Sequence, residues 1–244
     1  MIKRILTLIY GIVSYLVFFM TFLYFFGFTA DLWVPKSVSM GGVIENAAKA
    51  VLINLGLLAL FGLHHSLAAR PAFKKWLTRW LPQPLERSTY VLFSSVLLIL
   101  VYVFWRPLAT VIWNVEGTWL GTLLWAVFFL GMATALVSSF MINHFDLFGL
   151  RQTFLYFLGK PYTNTPFKVT GFYQWVRHPL MLGFLLSLWS APVMTTGRLL
   201  FAAAMTVYIF IGIYFEERTT AEFLGRTYQQ YRSKTSMILP FPKK

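Results

Sequence analysis

GTWLGTLLWAVFFLGMATALVSSFMIN, residues 117–143, carries no charged side chain. A bilayer core about 30 Å thick needs around 20 apolar residues to be crossed as a helix. Nothing in hydrocarbon satisfies an open backbone, so a run of this length reads as a membrane-spanning helix. The same reading holds for residues 5–30, 50–69, 88–105, 179–197 and 199–215. The expected fold is an all-α, polytopic integral membrane bundle of six segments, or five if one arm of the last hairpin is re-entrant. The last two runs are joined by Thr195-Thr196-Gly197-Arg198, which predicts a tight antiparallel hairpin with its first arm bent at Pro192.

Composition agrees with a chain whose main solvent is lipid. Only 12% of its 244 residues are charged, half the roughly 25% of a soluble domain. The apolar runs continue nearly from end to end, so residues 1–244 read as a single membrane domain. After Met1-Ile2-Lys3-Arg4 the uncharged run is longer than a signal-peptide core and has no small-residue cleavage site, so it reads as a retained first span. The absence of cysteine excludes disulfides, thiolate metal sites and a cysteine nucleophile. A net charge of +13 raises the question of nucleic acid, but the basic residues lie scattered between apolar runs. Topology accounts for them. With the N-terminus inside, 17 of the 21 Lys and Arg residues fall in inner segments, against Lys36, Lys49, Arg106 and Arg198 outside. The positive-inside rule then puts both termini in the cytoplasm. The long inner segments are the ones a soluble cofactor reaches.

Three features bear chemistry. Val176-Arg177-His178-Pro179 opens the final hairpin; proline suits the first helical turn, and the cations beside that electropositive helix start suit a carboxylate or phosphate. Taken alone, the triplet is explained equally well as an interfacial anchor. Glu216-Glu217-Arg218 closes the last apolar run, where carboxylates are costly unless they meet cations, hydroxyls or water. A ribose or α-amino group gives them a purpose, and so does an ordinary charged helix exit. The hairpin predicts that Arg177, His178, Glu216 and Glu217 return to one membrane face. The third feature is the tail Gly225-Arg226-Thr227-Tyr228-Gln229-Gln230-Tyr231, ending Ile238-Leu239-Pro240, readable as an interfacial belt or as a flap over a nucleotide.

In combination, Arg-His-Pro, a hydrophobic hairpin, Glu-Glu, Gly-x-x-Tyr-x-x-Tyr and a terminal hydrophobic-Pro resemble the isoprenylcysteine carboxyl methyltransferase superfamily over about residues 171–240. The remaining chain is similar to the NnrU-related branch and, within it, to the methanethiol S-methyltransferases. That likeness rests on His64-His65-Ser66-Leu67-Ala68-Ala69-Arg70-Pro71, Glu86-Arg87-Ser88-Thr89-Tyr90, the segment from Asn143-His144-Phe145-Asp146 to Leu150-Arg151-Gln152, and Ala191-Pro192-Val193-Met194-Thr195. The resemblance implies a bacterial inner-membrane enzyme transferring a methyl group from S-adenosyl-L-methionine to a small thiol. The acceptor would be methanethiol, giving dimethyl sulfide, with hydrogen sulfide a second acceptor. It carries Tyr173, Arg177, His178, Pro179, Glu216, Glu217 and Tyr228 over as cofactor-binding candidates. Met181 departs from the aromatic residue the superfamily often has at that position.

A thiol must lose its proton near the reaction. His144 is the first candidate base, oriented by Asp146, with Arg151 stabilising the thiolate; His64 or His65 is the second, and Tyr90 a weaker site candidate. Their ordinary readings are helix capping for His144 and Asp146, and interhelical hydrogen bonding for His64 and His65. Two other functions are consistent with the residues: methylation of a lipid or isoprenylcysteine acceptor, and haem ligation by His64, His65 and His144 in a respiratory or denitrification accessory protein. A transporter fits less well, because no charge lies deep within a span. Expected partners are a small thiol and membrane lipid, without nucleic acid, metal or an inferable oligomeric state.

Overall fold

The computed structural model describes residues 1–240; Lys243 and Lys244, counted above among the inner cations, lie outside them. Among the described residues, five helices are long and apolar enough to cross a membrane: Ile2–Ala30, Ala47–Ala68, Gln83–Phe104 (opened by a 3₁₀ turn), Trp119–Ile142 and Thr196–Leu224. Their outer faces stay apolar, with Ile9, Leu16, Leu52, Leu130 and Val207 at least half exposed, while Ser14, Asn54, Ser88 and Ser138 are fully buried. Lipid explains a surface greasier than its interior.

The chain resolves into two compact units that interleave in sequence, Met1–Leu108 with Asn143–Pro166, and Ala109–Ile142 with Phe167 onward. The first unit holds α1 (Ile2–Ala30), α2 (Ala47–Ala68), α3 (Pro71–Leu77) and α4 (Glu86–Phe104). The second holds β1 (Val111–Asn114) and α5 (Trp119–Ile142). The chain then returns to the first unit for α6 (His144–Leu147) and α7 (Leu150–Phe157). It ends in the second with α8 (Pro179–Trp189), β2 (Val193–Thr195), α9 (Thr196–Leu224) and α10 (Arg226–Lys234).

In the first unit α1 packs on α4 and α7, and α2 on α4. Polar bonds that replace water join them: Tyr10 to Thr89 at 2.9 Å, Tyr102 to the Thr21 carbonyl at 3.2 Å, and the Asn54 amide to both backbone groups of Arg106. Gly149 caps α7 with φ +88°, and a Cβ there would lie 2.6 Å from the Ser88 amide nitrogen, so only glycine lets α7 lie this close to α4.

The second unit decides between the two expected counts, in favour of five long helices. Residues 179–197 do not form a full transmembrane helix: α8 stops at Trp189, before Pro192, and the chain continues extended into β2, antiparallel to β1. The expected four-residue turn is therefore absent, since Thr195 ends β2 and α9 starts at Thr196. Proline disfavours helix in the residue before it, which ends the helix early. The broken segment still runs the length of α5. Phe172 N–H meets Met141 Sδ near the α5 C-terminus, Ser187 Oγ donates to the Phe128 carbonyl, and the Pro192 carbonyl accepts from Val115 N–H just before α5 begins. Eleven helical residues at 1.5 Å and six extended ones at about 3.3 Å give about 36 Å, the length of the 24-residue α5. The extended carbonyls are satisfied inside the protein, Ala191 by Trp113 Nε1 and Val193 by Arg198. Gly131-x-x-x-Ala135 faces Gly183-x-x-x-Ser187, and a Cβ on Gly183 would lie 2.5 Å from the Gly131 carbonyl oxygen, so α5 and α8 meet backbone to backbone.

Candidate active site

A 3₁₀ turn at Gly171–Gln174 carries the chain to Val176, which pairs in parallel with Ser236. Arg177 N–H donates to the Ser236 carbonyl at 2.8 Å and His178 N–H to that of Met237 at 3.1 Å. The C-terminal tail therefore lies as a short strand along the Arg-His-Pro segment. Pro179 is the first residue of α8, where it has no N–H to leave unsatisfied, and it is fully buried.

Glu217, on the buried side of α9 with Ile213, receives what this segment presents. Arg177 Nε and Nη2 lie 2.7 and 2.6 Å from Glu217 Oε1, and His178 Nε2 lies 3.1 Å from the same oxygen. Arg232 of α10 places Nε 3.4 Å from Oε2. Side-chain exposure is 4% for Arg177 and 9% for Glu217, so this is a buried ion pair. Arg177 Nη1 donates to the backbone carbonyls of Thr235 and Arg232. Of five guanidinium donors, four thus point at protein acceptors. Glu216 is half exposed, 3.9 Å from His178 Nδ1.

The tyrosines wrap this cluster. Tyr231 donates to the Tyr173 carbonyl at 2.7 Å, and Tyr228 is buried. Burial, seconded by neighbouring carboxylate or phenol oxygens, pushes the Tyr228 and Tyr231 hydroxyls up to about 12 and Tyr173 higher still. All three stay neutral hydrogen-bonding groups at physiological pH. Beside the cluster, along α9 and α10, lies a cleft of about 610 Å³. Phe210, Ile213 and Tyr214 line one end; Glu217, Arg218, Glu222, Gln229 and Arg232 line the charged part. All seven proposed cofactor-binding residues fall in the second unit, but of them only Glu217 lines the cleft, which also takes in Arg232. The signal for Arg232 was its place one helical turn after Tyr228, a spacing that puts both on one side of α10.

The proposed catalytic residues fall in the first unit. His144 is buried among the rings of Tyr15, Phe145 and Phe148, and its Nε2 lies 2.8 Å from the Tyr15 hydroxyl. Burial lowers its pKa, which favours neutral imidazole. The expected Asp146–Arg151 neighbourhood exists, but as an ion pair at 3.0 Å: Asp146 also accepts from Tyr162, and Arg151 donates to the Thr163 carbonyl and hydroxyl. The hydroxyl that holds the His144 ring is Tyr15, a residue sequence reading left among the many aromatics of the first span. His65 bonds Tyr90 through Nε2 at 2.7 Å and Ser94 through Nδ1 at 3.2 Å, tying α2 to α4 as the interhelical reading expects. His64 points its Nδ1 to a buried position with no hydrogen-bond partner among the described residues.

A family model described as NnrU protein matches residues 51–240. The chain belongs to this family. Relatives of this NnrU-family chain include the methanethiol S-methyltransferase of Mycobacterium tuberculosis, 50% identical over 98% of this chain and 98% of the relative. Methanethiol S-methyltransferase 1 of Bradyrhizobium diazoefficiens is 48% identical over 98% of this chain and 84% of its own length. More distantly, Nurim of Bos taurus is 30% identical over 64% and 62%. No solved structure matches at a significant level.

Proposed function

We propose that this protein methylates methanethiol to dimethyl sulfide with S-adenosylmethionine as the donor, and that hydrogen sulfide is a second acceptor. The reaction type and acceptor follow the names of relatives nearly half identical over almost the whole chain. The observation that carries the donor reading is the cleft beside the Arg177–Glu217 pair. Its volume lies within the roughly 300–1,000 Å³ of small-molecule sites. An apolar, aromatic end followed by walls bearing both charge signs fits a flat base at one end and a zwitterionic amino-acid group at the other. S-adenosylmethionine supplies, when bound, a methyl group on a sulfonium.

The chain's own residues bind and orient. Arg177 and His178 fix the Glu217 carboxylate from behind, so that it presents a set position to the cleft; buried and tied to carbonyls, Arg177 acts through Glu217. Glu216, half exposed beside His178, is the second carboxylate of the cluster. Tyr173, Tyr228 and Pro179 pack around the Arg177–Glu217 cluster, behind the cleft lining. For the proton of the thiol, neutral His144, held by Tyr15, is the proposed base, with His64 second; Asp146 and Arg151 brace the segment that carries it. Displacement at the methyl group needs donor and acceptor sulfurs aligned at near-attack distance, and a dry, low-dielectric setting disfavours the separated charges of thiolate and sulfonium. In this reading both termini are cytoplasmic in a bacterial inner membrane, supported by the basic bias of the inner segments and by the run of α8 and β2 along α5.

Purified protein in lipid nanodiscs, given S-adenosylmethionine and methanethiol, should release dimethyl sulfide into the headspace. No dimethyl sulfide above a protein-free control would refute the reading, and turnover of a prenylated cysteine in its place would redirect it to a lipidated acceptor.

A further inference from the structure

We infer that the exposed stripe formed by Lys75-Trp76 and Arg79-Trp80 is a docking surface for the anionic phospholipid headgroups of the membrane. The surface lies wholly in the first unit and is independent of the methyl-donor site. The chain leaves α2 at Ala68, passes through Arg70 in extended backbone and starts α3 at Pro71. Amide bonds from Thr78 to Lys74, Arg79 to Trp76, and Trp80 and Leu81 to Leu77 carry the helical winding past α3 to Leu81. Burial along it has a helical period: Phe73, Lys74, Leu77 and Leu81 are partly covered, while Ala72, Lys75, Trp76, Arg79 and Trp80 are exposed. Phe73 packs on the cluster of Ala68, Tyr90 and Val91, and Lys74 Nζ lies 3.8 Å from Glu86, so the protein itself takes up the inner face.

The composition of the outer face selects its occupant. Trp76 is 51% and Trp80 77% exposed, each next to a cation. An indole has an apolar body for the acyl boundary and an N–H for the wet side, which suits it to the headgroup level. From Arg70 to Leu85 the chain holds four cations and no carboxylate. Glu86 engages Lys74, whereas Lys75 and Arg79 form no ion pair among the described residues. A neutral bilayer satisfies the tryptophans alone. The cations add an attraction to anionic lipid, worth about fivefold in local concentration for each one near the surface. Membrane-crossing helices flank the segment, α2 before it and Gln83–Phe104 after it. Their ends hold the stripe where the headgroups begin, which favours lipid over a soluble acidic partner.

The chain has no cysteine, so a single introduced one can carry a spin label. Ala72→Cys places it on the exposed face and keeps both tryptophans, while Leu130→Cys, on the lipid-facing side of α5, reports insertion of the full chain. Power saturation in nanodiscs reads the access of each label to oxygen and to a neutral, water-soluble nickel chelate. Adding phosphatidylglycerol to phosphatidylcholine should lower nickel access at the Ala72→Cys label by about two- to fivefold. Lys75→Gln with Arg79→Gln should abolish that lipid difference, and Trp76→Ser with Trp80→Ser should raise nickel access in both bilayers. The Leu130→Cys label should stay open to oxygen and closed to nickel throughout; Lys75→Gln alone serves if the double variant loses this pattern. Equal nickel access at Ala72→Cys in the two bilayers would overturn the inference, and so would a lipid difference that survives loss of both cations. Protection that appears only with added polyglutamate would assign the stripe to an acidic protein and overturn it as well.

Discussion

Replacing Glu217 by alanine removes the acceptor for two donors of Arg177, for His178 Nε2 and for Arg232 Nε, while the Arg177 bonds to the carbonyls of Thr235 and Arg232 survive. The guanidinium is then buried with half of its partners gone. Breaking a buried ion pair from one side costs about 3–5 kcal/mol, because the remaining charge is uncompensated. For a chain of this size that corresponds to a fall in Tm of roughly 6–20 °C. Removing both partners together, as Arg177→Met with Glu217→Leu, leaves no orphan charge and should restore at least half of the loss. Unfolding should be followed by tryptophan fluorescence in nanodiscs, since a chain without cysteine gives no signal to thiol-reactive dyes. If Glu217→Ala unfolds within 2 °C of wild type, or if the double variant is as unstable as the single one, the pair does not carry the tail as described. The double variant also separates roles: refolded but unable to bind S-adenosylmethionine, it would show that the pair serves the ligand as well as the fold.

Two further outcomes follow from local geometry. Gly183→Val should weaken the α5–α8 contact by about 1–3 kcal/mol or more, as even a Cβ would press on the backbone of Gly131 and Ala135; wild-type stability in this variant would contradict the close approach. Burial holds the His144 pKa below its usual value near 6.5, so the native state resists a proton that the unfolded chain accepts. Its contribution to stability is therefore fully present above that value and is lost as pH falls below it, with a slope of at most about 1.4 kcal/mol per pH unit. Stability curves from pH 8 to 5 should be shallower for His144→Gln than for wild type, and parallel curves would contradict this.

Much of the architecture was legible because the bilayer imposes one rule, that a long uncharged run must be a helix. The rule holds for the five long helices and misleads at residues 179–197, where Pro192 and a partner strand let extended backbone satisfy itself inside the protein. Nothing in Val111-Ile112-Trp113-Asn114 marks it as that partner, since strand pairing is a tertiary fact. Arg177, His178 and Glu217 were legible as a group because the hairpin constrains their ends to return together. Their mutual neutralisation was not, for it depends on which rotamers close the pair and on the tail carbonyls. Asp146 was read towards His144 from proximity in sequence, whereas residues two apart on a helix diverge and its oxygens go to Arg151 and Tyr162. Tyr15 offered no signal at all, being one aromatic among many on α1.

The central claim is that the methyl donor sits against α9 and α10. Ultraviolet crosslinking of methyl-labelled S-adenosylmethionine to the full chain, followed by peptide mapping, tests that directly. The label should appear between Phe210 and Met237 and be competed by unlabelled donor. Competed label confined to other segments, or none above a heat-denatured control, would contradict the site.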